Sequence, residues 1–399
     1  MTWNERSRRP WTMFYHMYFP PYNEDESKED HAAAYQHAAD IAREQLNMVG
    51  HSFATTTTTG STSSTSFRQD PPPTLLYYTV IGEPLHNQTW MQVLCRDNHL
   101  ECVPLPYHVV GQEDVTLQAL YEYCHAFPSQ SVIYLHTKGS FHSAGPKVAT
   151  QDIWRQRLTE AATHRQCLEA VALQGRCETC SLLLQPLPGI HYPGNMWTAA
   201  CSHIIRLLPP QTFDKRMDQV VGDFVRFREA SHGRLNTTFF AQMPHMMGRT
   251  RFAAEHWLGS HPALRTPCDV SAHVTPNMSQ WLHTPSSIAT GALSSANFSL
   301  GLSPTFPIHD AHWDYFRYGK RGHVVLETPA LRLRDYFLLP GQLFKFVHLY
   351  QQVPPDDSWI WRWFPDATLW QQRIQQYGLQ FWKDETNDDW LPPAVELVV

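Results

Sequence analysis

Charge is scarce in this chain: 17% of its 399 residues are Asp, Glu, Lys or Arg, and the formal balance is −6 at pH 7. With no basic excess there is no general field to meet nucleic acid or an acidic membrane, so both are set aside as bulk electrostatic partners. Long apolar runs are missing as well. No stretch reaches the roughly 18 uninterrupted apolar residues of a membrane span. The basic start, Met1 to Arg9, leads into aromatics, His16 and Pro20 rather than the apolar segment of a signal peptide. Also lacking are a GxxxxGK phosphate loop, an HExxH zinc pair and any internal repeat.

What is present is aromatic: 14 Trp, 16 Tyr and 20 Phe, in a chain that is 42% hydrophobic. That composition argues against overall disorder, collagen and coiled coil. At more than twice the roughly 150 residues of a typical domain, the chain can bury a large core without depending on disulfides. Eight cysteines are an even number, but parity decides little at this length. Asn87, Asn236, Asn277 and Asn297 each carry Ser or Thr two residues on. These glycosylation signals weigh towards the secretory lumen, the lack of a signal peptide weighs against it, and the compartment stays open.

Along the chain, Thr12 to Phe19 reads as a buried strand ended by Pro20-Pro21, and Asp30 to Met48 as a helix with Gly50 as its stop. Leu75 to Ile81, Glu101 to Leu105 and Ser131 to Leu135 are further strands, with a helix from Asp114 to Cys124 between the last two. Strands alternating with helices imply an open, mostly parallel α/β sheet with flanking helices. A long helix is expected from Asp152 to Leu173 and a shorter one near Arg249 to Leu258. The expected organisation is an α/β domain over 1–275 interrupted by a disordered insertion at about 51–73, a loop-rich linker over 276–330 and a Trp-rich helical appendage over 331–399. The tryptophans of that appendage pack on the core or line a sugar-stacking surface, packing being the commoner use.

Four groupings can carry chemistry. His136-Thr137-Lys138-Gly139-Ser140 follows the strongest strand, and in an open α/β sheet ligands sit at the carboxyl ends of strands. Gly139 permits close backbone approach, Lys138 offers a point charge for phosphate, and His136 an acid, a base or a hydrogen bond; otherwise the segment is a solvated turn. His191-Tyr192-Pro193-Gly194-Asn195-Met196-Trp197 presents backbone donors and an amide to a hydroxylated substrate, or caps a helix. Glu255, close to His261, is a general base if partly buried, or an ion-pair partner of Arg251. Cys167, Cys177, Cys180 and Cys201 allow a zinc knot, two disulfides or a redox pair, with a structural clip favoured.

In the order VIYLHTKGS, a helix containing Trp154-Arg155, a Cys-rich turn, HYPGNMW and RFAAEHWLGSHP, the chain resembles a poorly characterised glycosyltransferase-like family. The likeness rests on the HTKG strand end and the GN-(Met or aromatic)-W loop, and covers roughly Trp11 to Asp269. It implies a nucleotide-sugar-transferase, GT-A-like fold and transfer of a sugar from a nucleotide donor to a glycan or protein hydroxyl. On that likeness Glu255 and His136 are candidate catalytic residues. Lys138, Gly139 and Arg155 face the donor, and His191, Gly194, Asn195, Trp197 and His261 form the acceptor loop. The Asp-x-Asp that holds a divalent metal in many such enzymes stands after none of the expected strands, so activity without metal is expected. The alternative is a catalytically silent carbohydrate-binding or interaction protein of the same fold.

Overall fold

The computed structural model describes residues 11–25, 27–56, 74–85, 88–141, 148–182, 184, 191–232, 248, 250–272, 298–302, 349, 350, 352 and 355. Its elements alternate as the sequence pattern demands: β1 (Trp11–Phe19), α1 (Lys28–Thr56), β2 (Thr74–Gly82), α2 (Gln88–Asp97), β3 (Leu100–Pro104), α3 (Glu113–Ala126), β4 (Ser131–His136) and α4 (Val148–Ala162). After α5 (Arg165–Leu168) come β5 (Thr179–Ser181), β6 (Trp197–Ala200), α6 (Cys201–Ile204), α7 (Pro210–His232), α8 (Ala253–Trp257), β7 (Pro267–Ala272) and β8 (Phe298–Leu302).

The eight strands form one sheet in the order β3-β2-β1-β4-β6-β5-β7-β8. β1 to β4 pair in parallel, β6 runs antiparallel between β4 and β5, β5 and β7 are parallel, and β8 is antiparallel on β7. The period of two along β1 shows why helices cover both faces. Met13, Tyr15, Met17 and Phe19 enter the cluster that holds Ala38, Ala42 and Leu46 of α1 and Leu158 of α4. Thr12, Phe14 and His16 meet Tyr123 and Thr116 of α3 instead. The chain steps outward from β1 through β2 to β3, then returns to the other side of β1 at β4. Strand order reverses there, and the carboxyl ends of β1 and β4 flank the crevice where open α/β sheets bind ligands.

Several expectations need correction. α1 does not stop at Gly50 but runs to Thr56, so the insertion expected from 51 begins no earlier than 57; residues 57–73 lie outside the described residues. Gly50 is a packing position: a Cβ there would meet Asn98 Oδ1 at 2.6 Å. The expected helix from Asp152 to Leu173 is divided, because His164 leaves helical geometry and caps α5 by accepting from the Gln166 N–H. Phe298–Leu302, assigned by the sequence to a loop-rich linker, is the eighth strand. The rest of that linker, the Trp-rich segment apart from 349, 350, 352 and 355, and the four glycosylation-signal asparagines lie outside the described residues.

All eight cysteines are paired. Cys95–Cys102 ties α2 to β3, Cys124–Cys201 ties α3 to α6, Cys167–Cys180 ties α5 to β5, and Cys177–Cys268 reaches β7. The Cys177-x-x-Cys180 sulfurs therefore go to different partners, which overturns the redox pair. Neither a zinc knot nor two disulfides within the Cys167, Cys177, Cys180 and Cys201 group is formed, since Cys177 and Cys201 pair outside it. The clip reading survives in another wiring. Four disulfides fit an oxidising, secretory environment, and no described helix is long and apolar enough to cross a membrane.

The chain divides into two units: 1–184 with 192–211 and 266–325, and 185–191 with 212–265 and 326–399. The first contains the sheet. The single domain expected over 1–275 is thus interrupted by the second unit.

Candidate functional site

β4 delivers His136 to the sheet edge, and the chain then turns sharply. The Thr137 N–H donates to the His16 carbonyl at 3.0 Å, the Ser140 N–H to the Thr137 carbonyl at 3.1 Å, and the Tyr18 N–H to Thr137 Oγ1 at 2.9 Å. Gly139, with φ +96°, occupies the position of this turn that a side chain would strain. Lys138 is half-buried, and among the described residues its ammonium has no hydrogen bond or ion pair.

The second motif is also a turn. The Asn195 N–H donates to the Tyr192 carbonyl at 3.0 Å, with Pro193 and then Gly194 at φ +87° between them. Pro followed by a positive-φ Gly is the sequence preference of a type II turn. Gly194 is tight on space as well: a Cβ would lie 2.4 Å from Leu158 Cδ1 and 3.2 Å from both Lys138 Cε and Trp154 Nε1, so the Leu158 side chain would have to shift. The two motifs meet directly, because His136 Nε2 donates to the Gly194 carbonyl at 2.7 Å.

Glu113, first residue of α3, completes the cluster. Its Oε2 accepts from Asn195 Nδ2 at 2.7 Å and from the Tyr134 hydroxyl at 3.0 Å. Asn195 cannot flip, since its Oδ1 accepts from the buried Trp197 Nε1 at 2.7 Å. Glu113 Oε1 faces His136 Nδ1 at 3.9 Å, and the two side chains keep 20% and 12% exposure. Beside them His16, the register partner of His136, has its Nδ1 2.9 Å from Thr116 Oγ1.

The electrostatics separate these groups. Burial pushes Glu113 up, but the His136 and His16 rings and the hydrogen bonds from Asn195 and Tyr134 outweigh it and hold the carboxyl below its ordinary value. Burial pushes His16 down to about 4 against the pull of Glu113. It also pushes His136 down, with Lys138 adding to the effect and Glu113 and the Gly194 carbonyl opposing it. At neutral pH the site therefore holds one carboxylate and two neutral imidazoles. Because a carbonyl only accepts, His136 carries its proton on Nε2, and Nδ1 offers a lone pair.

Behind the turn, Gln45 ties both motifs to α1, reaching the second through Met196 Sδ at 3.7 Å. It accepts from the Tyr15 hydroxyl at 2.8 Å and donates to the His136 carbonyl at 3.1 Å and to Thr159 Oγ1 at 2.9 Å. Arg155 is buried, paired with Glu44 and Asp152 at 2.8 Å each, and donates to the Lys138 carbonyl at 3.3 Å. Its charge is met within the protein.

Of the residues singled out in the sequence, His136, Lys138, Gly139, Arg155, Gly194, Asn195 and Trp197 belong to the first unit, and all but Gly139 and Arg155 are linked around Glu113 and Gly194. His191, Glu255 and His261 belong to the second. There the His191 ring stacks on His256 with centroids 4.5 Å apart, Glu255 is half-buried on α8, and the His261 ring packs edge-on against Tyr350 at 4.6 Å. Glu113 and His16 escaped the sequence reading. The available signal was topological: in a parallel α/β sheet the start of α3 and the end of β1 share the edge to which β4 brings His136.

A family model described as a domain of unknown function, DUF8361, matches residues 14–363. No curated protein and no solved structure matches the chain.

Proposed function

The chain belongs to the DUF8361 family, whose function is unknown, and we propose from the site itself that the protein is a glycosyltransferase. It moves a sugar from a nucleotide-sugar donor to a hydroxyl of a glycan or protein. One observation carries this reading: the HTKG and PGNMW segments converge at the strand-order reversal between β1 and β4, around an ammonium without a partner among the described residues. That edge is where open α/β sheets take nucleotides, and the same reading takes the sheet as GT-A-like.

In this proposal Lys138 and the Gly139 turn receive the leaving diphosphate, whose developing charge a fixed cation stabilises. Arg155 holds the Lys138 backbone and does not touch the ligand. The lone pair of His136 Nδ1 accepts from a hydroxyl of the bound substrate. No Asp-x-Asp follows β4, where the chain reads His-Thr-Lys-Gly, so the diphosphate is met by lysine and the reaction proceeds without a divalent ion. The four disulfides support a secretory-lumen setting.

Calorimetric titration with UDP, GDP and CMP in EDTA tests the donor site. One of them binds the wild type, and Lys138→Ala weakens it by about tenfold or more, as expected for a charged hydrogen bond, with unchanged melting. Equal affinity in the variant removes Lys138 from the site. Binding that depends on Mn²⁺ removes the metal-free account, and nucleotide binding without sugar transfer to any acceptor makes the protein a silent binder.

A further inference from the structure

Two hydrogen-bond acceptors stand side by side in the site without a donor between them. Glu113 Oε1 accepts nothing among the described residues, whereas its partner oxygen is saturated by Asn195 and Tyr134. His136 Nδ1 is the bare nitrogen of a ring whose other nitrogen is fixed to Gly194. At 3.9 Å the two atoms are too far apart to share a proton and close enough to be served by neighbouring donors. Both keep solvent contact, and both are held rigidly: Asn195 by Trp197, Tyr134 by its strand, His136 by the Gly194 carbonyl.

A ligand that fills such a place brings two donors set next to each other, each at about 2.8 Å from its acceptor. An ammonium or guanidinium has them, but the Lys138 charge that bears on His136 repels a second cation. Among neutral groups with two neighbouring donors, the vicinal diol is the one that a nucleotide sugar offers on both its ribose and its pyranose. We propose that Glu113 Oε1 and His136 Nδ1 form a two-acceptor notch that binds the vicinal diol of a ribose or a pyranose. This deepens the donor-site reading above and rests on it for where the ligand enters.

Each hydroxyl gives its proton to one acceptor, so the notch reads a pair of hydroxyls rather than one. Leaving a buried or half-buried acceptor without its donor is what makes such sites reject deoxy analogues. Glu113 therefore acts as a specificity residue, and Asn195 as the residue that positions it.

Titration calorimetry of the intact protein near neutral pH tests this with paired ligands. UDP and GDP are compared with their 2′-deoxy forms for the ribose source, and methyl mannoside with its 2-deoxy analogue for the pyranose source. The expected result is that in at least one pair the loss of a single hydroxyl weakens binding by about tenfold or more. Glu113→Gln then weakens the diol ligand. The comparison on wild-type protein needs no variant, so it stands even if Glu113→Gln misfolds. Nucleotides that bind without telling ribose from deoxyribose, alongside mannosides that are not told apart, overturn the notch and leave the donor reading intact. Discrimination in the mannoside pair with no nucleotide binding keeps the notch and overturns the donor reading. A folded protein that binds none of these ligands overturns both.

Discussion

His16, within β1, and His136, at the end of the adjoining parallel strand β4, are register partners, and the Glu113 carboxylate on the neighbouring helix bears on both rings. Two histidines opposite one another on the same sheet face would repel if both were charged. Burial keeps both neutral near pH 7, and the carboxyl, which burial alone would push up, is held low by the two rings and by hydrogen bonds from Asn195 and Tyr134.

That arrangement sets a pH dependence for stability. His16 has an ordinary value of 6.5 unfolded and about 4 folded, so between these limits the unfolded chain binds the extra proton. Stability is full above the unfolded value and falls on acidification by about 1.4 kcal/mol per pH unit, to a total of about 3 kcal/mol near the folded value. Glu113, held low, is fully ionised above its unfolded 4.5 and adds a loss in the same direction below it. His136, also lowered by burial, acts in this direction. Urea denaturation near pH 7 and near pH 5 measures the slope. His16→Asn flattens it; a variant as steep as the wild type contradicts the assignment.

Gly194→Ala damages the site and the fold together. The methyl group meets Leu158 Cδ1 at 2.4 Å on a backbone with φ +87°, a combination expected to cost about 2 kcal/mol or more. A chain of this size melts roughly 2–4 °C lower for each kcal/mol. The displaced carbonyl also releases His136. A variant that melts as the wild type does contradicts the packing described.

Asn195→Ala removes the donor to Glu113 and the acceptor of Trp197 at once. A loss of about 2–4 kcal/mol is expected from stranded polar groups, on top of a positive φ of +49° that alanine tolerates poorly. Asn195→Gly relieves the backbone and not the network, so it recovers only part of the melting temperature. Full recovery by glycine shows that the hydrogen bonds are dispensable.

The fold was largely legible because period-two burial and helix-breaking prolines act locally: β1, β2, β3 and β4 stand within a residue or two of where their apolar runs place them. Gly50 misled because a glycine serves close packing as readily as a helix stop, and only Asn98, distant in sequence, distinguishes the two. Phe298–Leu302 was missed because an edge strand is defined by its partner β7 and not by its composition. The His136 and Gly194 motifs were visible as Gly- and Pro-marked turns. Glu113 was not, since one acid at a helix start is usual there and its role arises from Asn195, 82 residues away.

The cysteine wiring is testable on its own. Cys177–Cys268 closes a separation of 91 residues and Cys124–Cys201 one of 77, each worth about 4–5 kcal/mol in the chain-entropy account. Mass mapping of the unreduced protein should recover these pairs, and replacing Cys124 and Cys201 by serine should lower the melting temperature sharply. A free thiol titre above zero in the native, unreduced protein contradicts the pairing.

The donor site itself is tested most directly by a thermal-shift panel of UDP, GDP, CMP and their sugars, with and without Mn²⁺. A ligand that binds the folded state alone raises the midpoint by mass action. The account predicts a rise with one nucleotide class, retained in EDTA and lost in Lys138→Ala. A well-folded protein whose midpoint moves with none of them contradicts it.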